Sequence, residues 1–471
     1  MENSADTAQK AASKRTTEHP PVAVVGLGIS GRAAVDFLIQ QNIPVLACDE
    51  RMDAAQLSAL WSDPLVTCFS GPLPEQQLAH ASAVLLSPGI AKTHPGLQPA
   101  LQHGTPVIND VEWMYRHSRN RNMAGREPFF IGITGTNGKS TVTTLIGEML
   151  QQSDIPVKVG GNLGQAALSL WDQNTPGYVL ELSSFQLEST LHFRPKVGVL
   201  LNVSQDHLDR YSGLDAYLTA KQNLFRSQGA GDIAVINADD PAFTETWIEQ
   251  LSKKGVRIVP FSNQKTVVGG LYTKDNQLID HRGADPIIVI NLDEILMTGG
   301  HNRANAAAAA AAALTMGASI EAIRLVLKTF PGLPHRMEWI RALDGVNYYN
   351  DSKGTNVGAV IESLSSFDNA VVLIAGGRDK NSDFSPLTSL IQQRCDAVIL
   401  IGEASKKMAQ IWHDATTLHH ASSLHEAIEK ARAAAQPGGA VLLSPACTSF
   451  DMFKSFEDRG DRFREAVHAL E

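Results

Sequence analysis

Cysteine is nearly absent: four in 471 residues, at Cys48, Cys68, Cys395 and Cys447, with no C-x-x-C pair among them. Such spacing excludes a disulfide framework and a thiolate zinc site, and it fits a reducing compartment. Positive charge is not in excess either. Forty basic residues against 49 acidic ones leave a net charge of −9, and no basic stripe marks the chain as a nucleic-acid binder. No uncharged apolar run is long enough to span a bilayer, and the N-terminus lacks the apolar core of a signal peptide. Residues 43% hydrophobic and 19% charged, over a length too great for a single core, describe a globular enzyme of several domains.

Residues 1–20 are Ala, Ser, Thr and charge, and read as a disordered leader. From residue 21 onward, apolar β-branched runs alternate with helical segments, which predicts an α/β fold of three domains, each on a mainly parallel sheet. The first runs over 21–117 and closes at a polar, basic linker, 118–122. The second, 118–332, holds a glycine loop and an alanine run at 306–313, expected as a buried helix. The third, 333–471, opens near Gly332-Leu333-Pro334.

The segment Ile131-Gly132-Ile133-Thr134-Gly135-Thr136-Asn137-Gly138-Lys139-Ser140-Thr141 is a strand that breaks into a glycine loop and restarts as a helix. That is a phosphate cradle. Gly135 and Gly138 let backbone N–H groups close on an anion, and the helix N-terminus adds its dipole. Lys139 supplies a point charge and Ser140 a hydroxyl for Mg²⁺. The spacing departs from the strict G-x-x-x-x-G-K-[ST] form, because Ile133 stands where its first glycine would be. The loop predicts ATP.

A second glycine loop, Gly26-Leu27-Gly28-Ile29-Ser30-Gly31, is followed about twenty residues on by Asp49. This is the dinucleotide fingerprint, and a dehydrogenase is the rival reading. What the pattern requires physically is a diphosphate at a helix N-terminus and a carboxylate facing a hydroxylated ring, which a UDP-sugar also supplies. No acid–base set suited to hydride transfer accompanies it, and a simple dehydrogenase has no use for a separate ATP loop.

Glu181 ends a hydrophobic strand, where a carboxylate needs a cation, either Mg²⁺ or a structural ion-pair partner. His207 also follows a buried strand, but a lone His is weak support for a magnesium ligand. Lys221, taken with its neighbours alone, reads as a solvated helix lysine. Asn302 and Asn305 share a helix face at i, i+3 and suit a purine edge or a helix cap. Arg336 suits bidentate phosphate contact. The 350–356 and 376–380 stretches are strand-end loops with cations and hydroxyls, suited to a small anion or to solvated turns.

Taken together, the strings G-T-N-G-K-S-T, L-E-L-S-S-F-Q-L-E, D-H-L-D-R-Y, G-H-N-R-A-N, G-L-P-H-R-M-E, N-D-S-K-G-T-N and L-S-P-A-C-T-S-F-D-M-F, collinear through residues 132–453, resemble the Mur ligase family. G-L-G-I-S-G and S-P-G-I extend the likeness to nearly the whole chain after the leader.

The resemblance implies a Rossmann-like first domain, a P-loop central domain and a Rossmann-like third domain. The activity it implies is ATP-dependent joining of D-glutamate to UDP-N-acetylmuramoyl-L-alanine through an acyl phosphate, in peptidoglycan precursor synthesis. A bacterial cytoplasmic monomer is expected, with no nucleic-acid or membrane partner. Diamino acids, dipeptides or folate-polyglutamate chemistry, used by sister ligases, form the runner-up within the class. By the same resemblance Gly28, Ile29, Ser30, Gly31, Asp49, Arg51 and Ser87 hold the UDP part, while Asn162 and His207 approach the muramoyl part. ATP falls to Gly135, Thr136, Asn137, Gly138, Lys139, Ser140 and Thr141, with Asn302, Asn305, Arg336 and Asp351 across the domain joint. Two Mg²⁺ ions are implied, one on Ser140 and Glu181, the other on Glu181, His207 and a carbamylated Lys221. Thr355, Lys380, Ser449 and Phe456 form the implied D-glutamate pocket, and Lys353 lies near the reacting phosphate. Gly354 replaces the usual alanine of its loop, which is expected to loosen it. Glu50 adds a carboxylate at the uracil end.

Overall fold

The computed structural model describes residues 20–120, 127–206, 210–297, 299–367 and 370–471. The expected leader, apart from Pro20, and His207 lie outside the described residues. Among those described, no helix is long and apolar enough to cross a membrane.

Three sheets follow one another along the chain. The first holds β1 (Val22–Val25), β2 (Val45–Asp49), β3 (Val66–Ser70), β4 (Ala83–Leu86) and β5 (Val107–Ile108), all parallel, in the order 3-2-1-4-5. Its central strands are continuous apolar runs because helices cover both faces. The order reverses between β1 and β4, which opens a crevice at their carboxyl ends.

The central sheet is built from β6 (Phe129–Thr134), β7 (Lys158–Gly161), β8 (Gly177–Glu181), β9 (Val197–Leu200), β10 (Ile233–Asn237), β11 (Arg257–Ser262), β12 (Leu271–Lys274), β13 (Gln277–Asp280) and β14 (Ile287–Asn291). Its order is 14-13-12-11-10-9-6-8-7. Only β13 pairs antiparallel with its two neighbours. β6 lies between β8 and β9, so the chain leaving it is flanked by the ends of both. The helix Gly300–Thr315 packs on the helix Lys139–Gln151, and alanines 306–313 are all fully buried. Alanine serves here because it forms helix well and lets two helices approach closely.

The third sheet holds β15 (Glu338–Leu343), β16 (Val346–Asn350), β17 (Val371–Gly376), β18 (Cys395–Ile401), β19 (Thr417–His420) and β20 (Ala440–Leu443), ordered 15-16-20-17-18-19. β20 sits between β16 and β17, so the loops after these three strands converge on one edge of the domain.

The first and central sheets share one apolar cluster. It runs from Val22, Val24 and Leu38 through Val111, Met114 and Tyr115 to Phe130, Tyr178 and Phe193. The helix Asp110–Asn120 carries the middle of that cluster, so the expected boundary at 117/118 falls inside a helix. Glu112, on this helix, is fully buried. Its carboxylate accepts the backbone N–H groups of Leu191, His192 and Phe193, at 3.0, 3.0 and 2.8 Å from Oε2, and Arg116 Nε at 2.7 Å from Oε1. Burial alone would push this carboxyl up, but those donors outweigh it and hold Glu112 below the usual range.

Glu112→Gln therefore places amide N–H against backbone N–H. It should cost about 3 kcal/mol, within the range for breaking a buried charged network. A group whose folded value is depressed contributes stability above its unfolded value, near 4.3, and loses it as pH falls through the folded value. Urea midpoints at pH 7 should separate the two proteins, and the gap should narrow below about pH 4. Equal midpoints at pH 7 would refute this role.

Candidate active site

The phosphate loop is braced from β9. Asn202 Oδ1 accepts the N–H groups of Thr136 at 3.1 Å and Asn137 at 2.8 Å, and Asn202 Nδ2 donates to Asn137 O at 3.2 Å. Gly138 turns the chain into the helix at φ +79°, where a Cβ would stand 2.3 Å from Asn305 Oδ1. No side chain caps the helix Lys139–Gln151, so its first amides face the cavity above it. An uncapped helix end of this kind suits an anion. Lys139 is turned back onto the loop, with Nζ donating to Gly135 O at 3.0 Å and Thr136 O at 2.7 Å. Burial lowers its proton affinity, and Glu181 opposes that shift.

Ser140 is the meeting point. Its hydroxyl donates to Glu181 Oε2 at 2.6 Å, and accepts from Arg336 Nη2 at 3.1 Å and Lys353 Nζ at 3.2 Å. Asn162 Nδ2 donates to Glu181 Oε1 at 2.8 Å. Burial would raise Glu181, but Lys139, Lys353 and these hydrogen bonds together hold it below the usual carboxylate range. Lys353 lies 5.0 Å from the Phe456 ring centroid, and burial beside Arg336 brings it down to about 8. Arg336 Nε is buried with no hydrogen-bond partner, a donor in want of an acceptor. Ser140 and Glu181 offer the oxygen donors that Mg²⁺ prefers, and that ion commonly completes its shell with water and phosphate. Among the described residues no cluster of three or more His, Cys, Asp or Glu stands ready for a metal.

Lys221 corrects the expectation of a solvated helix lysine: it is 1% exposed. Its Nζ donates to Gly135 O at 2.6 Å and stands 4.3 Å from the Tyr217 ring centroid. Burial, with Lys139 adding to it, holds the amine well below the ordinary lysine range. Helix spacing alone could not show this, because the phosphate loop that covers Lys221 is 86 residues away in sequence.

Across the joint, the Asn350–Asn356 loop is tightly made. Asp351 Oδ2 accepts the hydroxyls of Ser363 and Ser444, both at 2.7 Å, and burial pushes its carboxyl up to about 6. Gly354, expected to loosen this loop, is instead packed. A Cβ there would lie 2.5 Å from Asp351 Oδ2 and 2.7 Å from Ser444 Oγ. Arg459, fully buried, donates to Ser352 Oγ at 2.9 Å, Ser352 O at 2.7 Å and Cys447 O at 3.3 Å, which fastens this loop to the one after β20. Lys380 Nζ reaches over to Asp206 Oδ1 at 3.2 Å, and Asn356 Nδ2 to Asp206 Oδ2 at 3.3 Å.

A cavity of about 230 Å³ lies in this joint. It brings together Thr136, Asn137, Gly138, Lys139, Thr141, Asn302, Asn305, Arg336, Asp351, Lys353, Thr355, Lys380 and Phe456, most of the residues singled out in the central and third domains. Ser449 is buried, 2% exposed, and does not line this cavity. His301, Asp206 and Glu362 also line the cavity but were not singled out from sequence. His301 and Asp206 stand inside the quoted motifs, whereas Glu362 is in none of them. Burial brings His301 down to about 4, so it is neutral near pH 7.

The first-domain residues form a separate group. Gly28, Ile29, Ser30, Gly31, Asp49, Arg51 and Ser87 gather at the carboxyl ends of β1, β2 and β4, and none lines the joint cavity. A Cβ on Gly31 would fall 1.9 Å from Gly26 O, so only glycine permits that close turn. Asp49 ties two loops together: Oδ2 accepts Leu27 N–H at 2.8 Å, and Oδ1 accepts Arg51 N–H at 2.9 Å. Glu50 pairs with His94 at 3.2 Å. From the central domain, Arg210 Nη1 donates to Pro88 O at 3.1 Å and holds the loop after Ser87.

Three family models match consecutive parts of the chain: "Mur ligase MurD-like, N-terminal domain" over 20–109, "Mur ligase middle domain" over 133–313, and "Mur ligase, glutamate ligase domain" over 335–447. A curated relative from Trichlorobacter lovleyi, UDP-N-acetylmuramoylalanine--D-glutamate ligase, is 39% identical over 95% of this chain and 98% of its own length. One of the same name from Pseudomonas fluorescens (strain Pf0-1) is 40% identical over 95% of this chain and 97% of its own. Among solved structures, a pseudomurein peptide ligase type C from Methanothermus fervidus aligns with TM-score 0.60 at 17% identity, over 96% of this chain and all of its own. A MurF ligase from Thermotoga maritima, solved with ADP, aligns with TM-score 0.59 at 15% identity, over 96% of each chain. Both show a common fold.

The cradle itself is testable. Gly138→Ala combines an unfavourable φ with a Cβ pressed on Asn305. Strain of about 1–3 kcal/mol, relieved by moving the loop, should weaken ATP binding by roughly tenfold to a hundredfold in calorimetric titration. Unaltered affinity would show that the nucleotide does not seat on this turn.

Proposed function

We propose, from the premise that this chain belongs to the Mur ligase family, that it joins D-glutamate to UDP-N-acetylmuramoyl-L-alanine and converts ATP to ADP and phosphate. The observation that carries the reading is the joint over Ser140. There a phosphate-binding helix end from one domain meets an arginine and a lysine from the next. That is the arrangement required when an acyl phosphate made over one domain is passed to an amine presented by the other.

The nucleotide phosphates take the first amides of the helix Lys139–Gln151, with Lys139 beside them and Arg336 Nε turned to an acceptor. Asn302 and Asn305 face the base. A carboxylate oxygen of the L-alanyl group attacks the γ-phosphorus; the bond to the β,γ-bridging oxygen breaks and ADP leaves. The amine of D-glutamate then attacks the acyl carbon, the C–O bond to phosphate breaks, orthophosphate departs and the nitrogen loses a proton. Lys353, with its low proton affinity, sits where the phosphate develops charge. Mg²⁺, two ions in our reading, offsets phosphate charge when bound, with Ser140, Glu181, His207 and Lys221 as the protein ligands.

Lys221 can serve that role only as a carbamate, since an ammonium has no lone pair. Burial disfavours the charged form of this amine, and the neutral form is the nucleophile that adds CO₂. We assign the UDP part to the crevice of the first sheet, with Asn162 toward the muramoyl group. The D-glutamate site falls to Thr355, Lys380, Ser449 and Phe456. Lys380 is already paired with Asp206, so the incoming carboxylate displaces or shares that contact. We place the enzyme in the bacterial cytoplasm as a monomer, where ATP and UDP-linked precursors are present.

Phosphate release should require ATP, UDP-N-acetylmuramoyl-L-alanine and D-glutamate together, with diamino acids and dipeptides poor in place of D-glutamate. The UDP substrate should also raise the melting temperature by mass action while NAD(H) does not. Turnover with another acceptor in preference to D-glutamate, or a shift with NAD(H) alone, overturns the assignment.

Lys221→Arg keeps length and charge but forms no carbamate. We expect kcat to fall by roughly a hundredfold or more, with the circular dichroism spectrum retained. Intact mass of the unmutated enzyme should reveal the CO₂ adduct. An active arginine variant ends the carbamate reading.

A further inference from the structure

Glu362 belongs to none of the motifs that define the joint, yet its carboxylate is set against the phosphate loop. It lies on the helix Val357–Ser365 of the third domain, and Oε1 accepts Asn137 Nδ2 at 3.4 Å. The Asn137 side chain is held from both sides, because Asn356, the N-cap of that helix, donates to Asn137 Oδ1, also at 3.4 Å. Glu362 thus stands where phosphates bound on the loop would place several negative charges.

Its surroundings do little to offset its charge. Asp351 has Oδ2 satisfied by two hydroxyls, whereas Glu362 has one long hydrogen bond and, among the described residues, no ion pair. Both carboxylates draw on Arg336, whose Nη2 is turned to Ser140. The other cations of the cavity are directed elsewhere: Lys139 to loop carbonyls, Lys353 to Ser140, Lys380 to Asp206. His301 is neutral near pH 7 and contributes no charge.

We propose that Glu362 is a nucleotide-contacting residue that accommodates ATP as the neutral acid, so that each nucleotide bound at the phosphate loop brings one proton from solvent onto this carboxyl. The proposal rests on the reading that the joint cavity holds ATP. In the empty site, burial pushes Glu362 up to about 7, with Asp351 adding to the rise and Asn137 and Arg336 opposing it. A polyanion beside it raises the proton affinity further. Below about pH 6 the acid is already neutral and binding needs no proton; above about 7 the proton must be taken up, and affinity falls by up to tenfold per pH unit. The neutral carboxyl can also donate its O–H to a phosphate or ribose oxygen, which the ionised form repels.

The test is calorimetric titration of the unmutated enzyme, Glu362→Gln and Glu362→Ala with ADP and excess Mg²⁺ at pH 6 and pH 8. Paired buffers of different ionisation enthalpy count the protons. The unmutated enzyme should bind about tenfold more weakly at pH 8 than at pH 6, relative to Glu362→Gln, and take up close to one proton at pH 8 that the variant does not. Titration of ADP, Asp351 and Lys353 occurs in all three proteins, so the ratio between them isolates Glu362. Glu362→Ala should lose the same pH dependence, which keeps the test open if the glutamine form folds poorly. Parallel pH profiles and equal proton counts overturn the proposal while leaving the ATP site intact. Failure of all three to bind ADP even at pH 6 removes the site reading and the proposal with it.

Discussion

The hydroxyl of Ser140 is the hinge on which the joint depends. It is small, buried and neutral, and it satisfies an anion and two cations at once, giving its proton to Glu181 and its lone pairs to Arg336 and Lys353. A carboxylate at this position would hold the two cations too firmly for phosphate to enter. A methyl group would leave three charged groups with no common partner in a region of low dielectric. The geometry of the central sheet puts the hydroxyl there. β6 runs between β8 and β9, so the helix after β6 begins beside the carboxylate that ends β8.

The two domain joints are built from different materials. The first and central sheets are fused by a continuous apolar cluster and by the buried clasp of Glu112, which leaves no reason for water to enter. Between the central and third domains the contacts are hydrogen bonds and ion pairs around a cavity, among them Asn137 with Asn356 and Lys380 with Asp206. Polar contacts of that kind exchange readily for contacts with a charged ligand at little net change in free energy, whereas apolar burial does not. A reaction through a hydrolysable intermediate needs a joint that opens to bulky substrates and closes against water. The polar joint is the one suited to that duty.

Most of this was legible in the chain because phosphate chemistry writes local motifs. A strand, a glycine turn and a helix start are contiguous in sequence, so the 134–141 segment could be read directly, and the collinear strings identified the family and the fold class. What could not be read depends on distant chain segments. Lys221 reads, on its neighbours alone, as a surface residue, because nothing in its helix predicts the loop that covers it. Glu362 carries no motif, and its facing of Asn137 spans 225 residues. Gly354 looked like a loosened position, yet its missing Cβ is what lets Asp351 and Ser444 approach. Proximity made by tertiary packing has no one-dimensional signature.

These hidden residues share a physical logic with the visible ones. Lys139, Lys221, Arg336, Lys353 and Lys380 are drawn toward one cavity or its floor, and so many cations in a small volume repel each other in the empty state. The fold limits that repulsion by desolvation as well as by counter-charge. Lys221 is held well below the usual lysine range and Lys353 is brought down to about 8, each first by burial and then by neighbouring cations. On the opposite side, Asp351 is raised to about 6 and Glu362 to about 7, so the carboxylates too are partly relieved of charge near neutral pH. The cavity is thereby held close to a point at which its groups can gain or lose protons cheaply. A polyanionic ligand would shift Lys353, Asp351 and Glu362 in the same direction, toward the protonated form, and make the site more positive as it enters. Fixed, fully ionised groups could not respond in that way, because their charge would be the same with and without the ligand.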